Sequence, residues 1–144
     1  MKLILSLMVT LLATSFARAE VLASCGASMG YGYFVANGII SSENAGFSED
    51  TIKNGVIQLT ASSNKEFDVV HVDATGKKLS IVEDGAQLVP LFNGSNIHII
   101  AVYPAGVVEN YTFRFATNEL TWTKSSFGAL IDKTSVFKSS CLFE

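Results

Sequence analysis

Charge is scarce in this chain of 144 residues, and positive charge is scarcer than negative charge. Lys and Arg number 10 against 13 Asp and Glu, and all charged residues together make up 16% of the chain. The longest basic run is the pair Lys77-Lys78. Proteins that bind a phosphate backbone need a basic patch or stripe. We therefore expect no nucleic-acid partner.

Cysteine and histidine are almost absent, which removes most kinds of metal centre. The two cysteines, Cys25 and Cys141, lie far apart, and the two histidines, His71 and His98, are not clustered with them as zinc motifs require. Neither a metal nor another cofactor is expected.

Only one long apolar run occurs, and it lies at the beginning of the sequence. Residues 3–16 contain nothing more polar than Ser and Thr, follow Met1-Lys2 and precede Ala17-Arg18-Ala19. This pattern is typical of a secretory signal peptide cut between Ala19 and Glu20. A membrane-spanning helix needs roughly 20 apolar residues, which no later segment approaches. We predict a signal peptide over 1–19, one domain over 20–144 with no transmembrane segment, and a periplasmic or secreted location.

A competing cleavage signal follows a few residues later. The tetrapeptide Leu22-Ala23-Ser24-Cys25 matches the lipobox at which bacterial lipoproteins are cut and acylated on the cysteine. Arg18 and Glu20 separate it from the apolar run, and charges in a bilayer-facing site are costly. An even cysteine count in an exported chain indicates a disulfide. We therefore predict that Cys25 and Cys141 join the two ends, with a lipid anchor on Cys25 as the alternative.

Helical periodicity is absent, and short alternating stretches separated by turn residues take its place. Asp84-Gly85 and Asn93-Gly94 are hairpin signals, and the connections are too short for crossover helices. We predict an all-β fold, a single antiparallel meander of about eight or nine short strands in a closed barrel or curled sandwich. Residues 41–54 are expected to form a loop. The predicted strands are a glycine-rich first strand before Asn37-Gly38 and residues 55–61, 66–73, 77–82, 87–92, 97–103, 109–115, 120–124 and 135–140.

Alternation within the strands predicts which faces are buried. Tyr111, Phe113 and Phe115 alternate with polar residues, so that strand should have one buried face. The strand over 97–103 carries apolar residues on both faces and should be covered on both sides. Trp122 is expected to pack inward.

The best pair for catalysis is His71 with Asp73, which a spacing of two places on the same face of a strand. His98 could join them in a metal or acid–base cluster only if its face matches. The simpler reading is a histidine hydrogen-bonded at a strand end. Tyr31 and Tyr33 could form an exposed aromatic surface for sugar, peptide or protein, but such residues lie in the core more often.

Several stretches together carry a family resemblance. In these stretches the mature chain resembles a functionally uncharacterised family of small exported proteins of Gram-negative bacteria. The resemblance implies a periplasmic or secreted setting and supplies no reaction, ligand or catalytic residue. The stretches are Cys25-Gly26-Ala27-Ser28 with the glycines and tyrosines that follow, Phe67-Asp68-Val69-Val70 leading into Asp73-Ala74-Thr75-Gly76, Asp84-Gly85-Ala86, Tyr103-Pro104, Glu109-Asn110-Tyr111-Thr112-Phe113, and Lys124 with Phe127-Gly128 before Cys141.

These observations favour a non-enzymatic binding or interaction protein of the bacterial envelope. Its partner would be a small ligand or another envelope protein. The alternatives are a small hydrolytic or metal-assisted enzyme using His71 and Asp73, and a lipoprotein anchored through Cys25.

Overall fold

The described part of the chain, residues 19–144 of a computed structural model, consists of eleven antiparallel strands and contains no helix. This confirms the predicted all-β class. The predicted signal peptide lies outside the described residues except for Ala19. The strands are β1 (Glu20–Cys25), β2 (Ser28–Phe34), β3 (Gly46–Ile52), β4 (Val56–Ala61), β5 (Phe67–Val72), β6 (Lys78–Ser80), β7 (Gln87–Asn93), β8 (Asn96–Tyr103), β9 (Val107–Arg114), β10 (Glu119–Ser126) and β11 (Lys133–Phe143).

One sheet contains all eleven strands, in the order β6-β5-β4-β1-β11-β10-β9-β8-β7 with β2 and β3 as a branch. Two meanders, β4 to β6 and β7 to β11, are therefore joined through β1. Strand β11 pairs with β10 on one edge, and on its other edge with β2 and then with β1. The sheet curls into a half-barrel, which lies between the closed barrel and the curled sandwich that the sequence left open.

Two strands were not predicted, which raises the count from eight or nine to eleven. Strand β1 precedes the predicted first strand, and β3 lies inside residues 41–54, which were expected to be a loop. Ser48, Glu49 and Asp50 lower the intrinsic strand preference of β3. Pairing with β2 along residues 46–52 provides the missing stabilisation. The loop prediction was therefore wrong because tertiary pairing outweighed local preference.

The disulfide between Cys25 and Cys141 is present, as predicted. The two residues lie directly opposite each other in the ladder between β1 and β11, and both are buried. A lipid anchor on Cys25 would need the same sulfur atom, so the anchor and this disulfide exclude each other.

The concave face of the sheet carries the core. Tyr111 and Phe113 are fully buried on β9, and Trp122 packs inward on β10, as predicted. On β8 the inner residue Ile99 is buried, but Val102 on the other face is 42% exposed. The expectation that β8 is covered on both sides or nearly so is therefore wrong at Val102, which the described residues leave exposed on the convex face.

Glycines on β2 allow a close approach between three strands. A Cβ atom at Gly30 would lie 1.9 Å from the carbonyl oxygen of Val136 on β11. The glycines leave the inner face of β2 without side chains, and Asp50 of β3 reaches across it to β11. The Oδ2 atom of Asp50 lies 2.6 Å from both Lys133 Nζ and Ser135 Oγ. Partial burial works to raise the pKa of Asp50, but these two hydrogen bonds outweigh it and lower the pKa.

Candidate functional site

A carboxylate lies buried on the concave side of the sheet. Glu109 on β9 is 2% exposed. Its Oε1 accepts from Lys124 Nζ at 2.8 Å, and its Oε2 accepts from the hydroxyls of Tyr111 at 2.6 Å and Tyr103 at 3.3 Å. A buried charge is tolerated when it is paired and hydrogen-bonded. Both oxygens of Glu109 meet this condition.

His71 on β5 extends this network. Its Nε2 lies 2.8 Å from the hydroxyl oxygen of Tyr111. A tyrosine hydroxyl has one proton, and Tyr111 donates it to Glu109. The neutral His71 ring must therefore carry its proton on Nε2 and donate it to Tyr111. The network defines the tautomer of His71.

Burial keeps the imidazole and the two phenols of this network in their neutral forms. It lowers the pKa of His71; Glu109 opposes this shift and Lys124 adds to it. It also raises the pKa of Tyr111, and the nearby Glu109 charge raises it further. The pKa of Tyr103 is raised for the same two reasons. The imidazole and both phenols are thus uncharged at neutral pH.

Two cavities meet at His71 and Leu79. The first, the apolar cavity, has a volume of about 290 Å³. The second, the polar cavity, has a volume of about 330 Å³. The walls of the apolar cavity include Ile52, Val56, Ile57, His71, Val72 and Leu79. The walls of the polar cavity include His71, Leu79, Ile81, Tyr103, Glu109 and Lys124.

Asp73, the proposed partner of His71, is engaged elsewhere. Its Oδ1 accepts from the backbone N–H of Thr75 at 2.8 Å, from the Thr75 hydroxyl at 2.6 Å and from the backbone N–H of Lys77 at 3.0 Å. The bonds from Thr75 lower the pKa of Asp73. Both His71 and Asp73 line the apolar cavity, with Asp73 at its solvent-exposed rim. The hydrogen bonds of Asp73 order the predicted turn and do not orient the imidazole.

His98 lies on the opposite face of the sheet from His71. Its Nδ1 is 2.7 Å from the Oγ1 of Thr112, the residue after Tyr111 on β9. Successive residues of a strand point to opposite faces, so the two histidines are not brought together. Within residues 19–144 no group of three or more His, Cys, Asp and Glu side chains could hold a metal ion.

Tyr31 and Tyr33 lie on the convex face of β2. Tyr31 is 59% exposed and Tyr33 is 46% exposed, and the ring of Tyr33 meets that of Phe47 edge to face at 5.0 Å. The preference for a core position was therefore wrong for these two residues. Gly30 and Gly32, which alternate with these tyrosines, occupy the inner positions, and this leaves the aromatic rings on the outer side.

The main residues that sequence reasoning missed are Glu109 and its partners. Glu109 precedes Tyr111 and Phe113 at spacings of two, so the alternation that predicted a buried aromatic face places Glu109 on the same face. A charged residue in that phase is the signal that could have found the network. Tyr103 and Lys124 come from β8 and β10, which pair with β9, and His71 comes from β5, which the curl of the sheet brings to β9.

Ser28 is a further residue of the apolar cavity that the sequence reasoning missed. The sequence Gly26-Ala27-Ser28-Met29-Gly30 matches the Gly-x-Ser-x-Gly pattern of hydrolase nucleophiles. That chemistry requires a strand-to-helix turn with the serine exposed, whereas Ser28 begins a strand and is buried. Its hydroxyl accepts from Trp122 Nε1 at 3.1 Å and shares a hydrogen bond of 2.7 Å with Ser139. The pattern is thus structural here.

Comparison of the chain with protein-family models, with curated proteins and with solved structures finds no match. The resemblance to a family of exported proteins stays a prediction. Between residues 19 and 144 there is no helix of the length and apolar character that a membrane crossing requires.

Proposed function

We propose that this protein is an exported, non-enzymatic binding protein that holds a small, mainly apolar molecule in the apolar cavity. The observation that carries the proposal is a cavity of about 290 Å³ whose walls are mostly aliphatic and contain one imidazole. Ligand sites are typically apolar concavities with few polar groups. A protein cavity of about 150 Å³ is large enough for benzene. The space therefore suits a ligand of one or two small rings or a short branched chain.

The polar groups of the cavity support binding rather than catalysis. Asp73 is held by its own turn, the Ser28 hydroxyl by Trp122 and Ser139, and Nε2 of His71 by Tyr111. A nucleophile or general base must be within hydrogen-bond reach of an orienting partner and of the reacting atom. Within the described residues no hydrogen bond joins any two of these three side chains.

The disulfide supports an exported setting. Disulfides persist in oxidising compartments such as the periplasm and the outside of the cell. The buried bond between Cys25 and Cys141 is compatible with such a location. The proposed setting is the bacterial envelope, as the family resemblance implies.

A titration with small probes tests the function. Benzene, toluene and indole are added to the purified protein, and binding is followed by NMR of the ligand and by the fluorescence of Trp122, the one tryptophan of the chain. Trp122 lies 6.0 Å from the ring of His71, measured between ring centroids. At least one probe should bind in a one-to-one ratio.

A variant whose larger side chain fills the apolar cavity is compared with a control variant that carries the same change elsewhere. Ile52→Phe should block binding, because Ile52 lines the apolar cavity and is paired across β2 and β3 with Ser28, another residue of its wall. Ile131→Phe makes the same change outside this cavity at a position of nearly equal exposure, 39% against 38%, and it should leave binding intact. Failure of all probes to bind, or equal binding by the two variants, would contradict the proposed function.

A further inference from the structure

The wall of the apolar cavity offers few hydrogen-bonding atoms to a ligand. Its polar side chains are those of Ser28, His71, Asp73 and Lys77. Ser28 is occupied by Trp122 and Ser139, and Asp73 and Lys77 lie at the exposed rim, where water competes for them. His71 is the polar group of the inner wall whose bonding capacity is only half used.

The tautomer of His71 decides what the unused half can do. The Glu109 carboxylate only accepts, so Tyr111 donates to it, and the Tyr111 oxygen then accepts from Nε2–H of His71. In a neutral ring with its proton on Nε2, the other nitrogen carries a lone pair. No side chain or backbone group of residues 19–144 forms a hydrogen bond with Nδ1. Every fully buried polar side-chain atom in these residues has a partner, so Nδ1 is not fully buried and is an acceptor open to water or to a ligand of the cavity that His71 lines.

We propose that the ligand of the apolar cavity carries a hydrogen-bond donor, a hydroxyl or N–H group on a small apolar frame, and donates it to Nδ1 of His71. This inference rests on the proposed binding function and specifies its ligand class. Ligands whose polar atoms are only acceptors, such as ketones, ethers and carboxylates, would be disfavoured, because their lone pairs would face the lone pair of Nδ1 and repel it.

Protonation of the ring does not offer these acceptor ligands an easy alternative. A proton on Nδ1 would convert it to a donor, but burial lowers the pKa of His71 and Lys124 adds to this effect. The charges of Glu109 and Asp68 favour the cation, but burial is the larger effect. At neutral pH Nδ1 of His71 therefore stays an acceptor, and the cavity favours neutral ligands that donate a hydrogen bond over anionic ligands.

Phenol and toluene form the matched pair of probes, since a methyl group replaces the hydroxyl. Toluene enters apolar surroundings more readily because phenol must first give up its hydrogen bonds to water. The informative quantity is thus the ratio of the two affinities, compared between the wild-type protein and His71→Phe. We expect His71→Phe to lower the phenol-to-toluene ratio at least about fivefold, the factor for one net hydrogen bond of about 1 kcal/mol. His98→Phe, the same change on the opposite face, should leave the ratio unchanged.

The outcomes separate this inference from the proposed function. If both probes bind and the ratio is the same in His71→Phe, the donor assignment is wrong while binding in the cavity stands. If phenol does not bind to the wild-type protein while benzene, toluene or indole does, this inference fails alone; if none of the probes binds, the proposed function fails and this inference fails with it.

A second measurement does not depend on the folding of His71→Phe. NMR of ¹⁵N-labelled imidazole nitrogens in the His98→Phe protein reports on His71 alone, because the chain has two histidines. The free protein should show the tautomer with its proton on Nε2, and phenol should shift the Nδ1 resonance while toluene should not. A proton found on Nδ1 at neutral pH, or equal shifts from the two probes, would overturn the assignment.

Discussion

Removal of the disulfide should produce a large loss of stability. Replacing Cys25 and Cys141 by alanine together deletes the bridge without leaving a buried free thiol. The two cysteines are 116 residues apart, so the bridge closes almost the whole described domain into one loop. Cross-links of long loops restrict the unfolded chain most.

The expected magnitude follows from the loop length. In the chain-entropy model a loop of about 100 residues is stabilised by roughly 4.7 kcal/mol at 25 °C, and the separation of 116 residues adds little to this value. Unfolding of globular proteins carries an entropy of about 2.1 cal/mol/K per residue near 60 °C. For a domain the size of residues 19–144, 1 kcal/mol then corresponds to about 4 °C in Tm. The double variant should unfold about 20 °C below the wild-type protein.

Calorimetry and urea unfolding measure this difference. The wild-type protein is compared with the double alanine variant, and then with wild-type protein under a strong reductant, which breaks the bridge but keeps the sulfur atoms. The reduced protein and the variant should agree within a few degrees. Their difference isolates the packing contribution of the two buried sulfur atoms.

A loss of less than about 8 °C in both samples would refute the reasoning. It would mean that the unfolded chain is already restricted without the bridge, or that the bridged native state is strained enough to cancel the gain. A large loss in the variant with none in the reduced protein would assign the effect to packing instead.

Three further predictions concern single residues. Glu109→Gln should lower the free energy of unfolding in urea by about 1–3 kcal/mol, because the hydroxyls of Tyr103 and Tyr111 lose a charged acceptor. Lys124 is partly exposed and can be solvated by water instead. An unchanged urea midpoint would contradict this prediction. Gly30→Ala should lower the free energy of unfolding by about 1–3 kcal/mol or more, because its Cβ would collide with the backbone of β11. Gly26→Ala is the control, since a Cβ there meets open space and should be tolerated. Equal losses of stability in the two variants would show that β11 moves aside freely. Burial lowers the pKa of His71 in the folded state below the ordinary histidine value of about 6.5, so the unfolded chain binds the proton first and stability should fall as pH drops below about 6.5. His71→Phe should flatten that part of the pH profile of the urea midpoint, and an unchanged slope would assign the dependence to other groups.

Local signals in the sequence account for much of the fold. Gly85 and Gly94 have positive φ values in turns predicted from their Asp-Gly and Asn-Gly pairs. The alternation around Tyr111 and Phe113 placed these aromatics on the buried face. These features depend on neighbours within a few residues, which is why pattern reasoning finds them. The cysteine pairing was also predictable, because two cysteines allow only one intramolecular bridge.

The site depends on information that is not local. His71 and Tyr111 are 40 residues apart, and their contact requires the register of several intervening strands. Strand β3 was missed for a related reason, since its polar residues lower strand preference and Asp50 finds its partners across β2. The outward position of Tyr31 follows from the glycines that let β2 lie close against β11. The close packing of β2 against β11 depends on the sequences of β2, β3 and β11 together, so no single stretch of the chain reveals it.

The position of β11 has a consequence for how the chain can assemble. Its eleven residues pair with β10 on one edge and with β2 and β1 on the other, yet it follows all ten other strands in the chain. Until residues 133–143 are available, β1, β2 and β10 each lack a neighbour, and no strand pairing joins the N-terminal and C-terminal parts of the described sheet. Contacts between residues so far apart in sequence form slowly. A growing chain therefore completes its sheet only after the eleventh strand has emerged, and completion of the sheet is a property of the whole domain rather than of any earlier fragment.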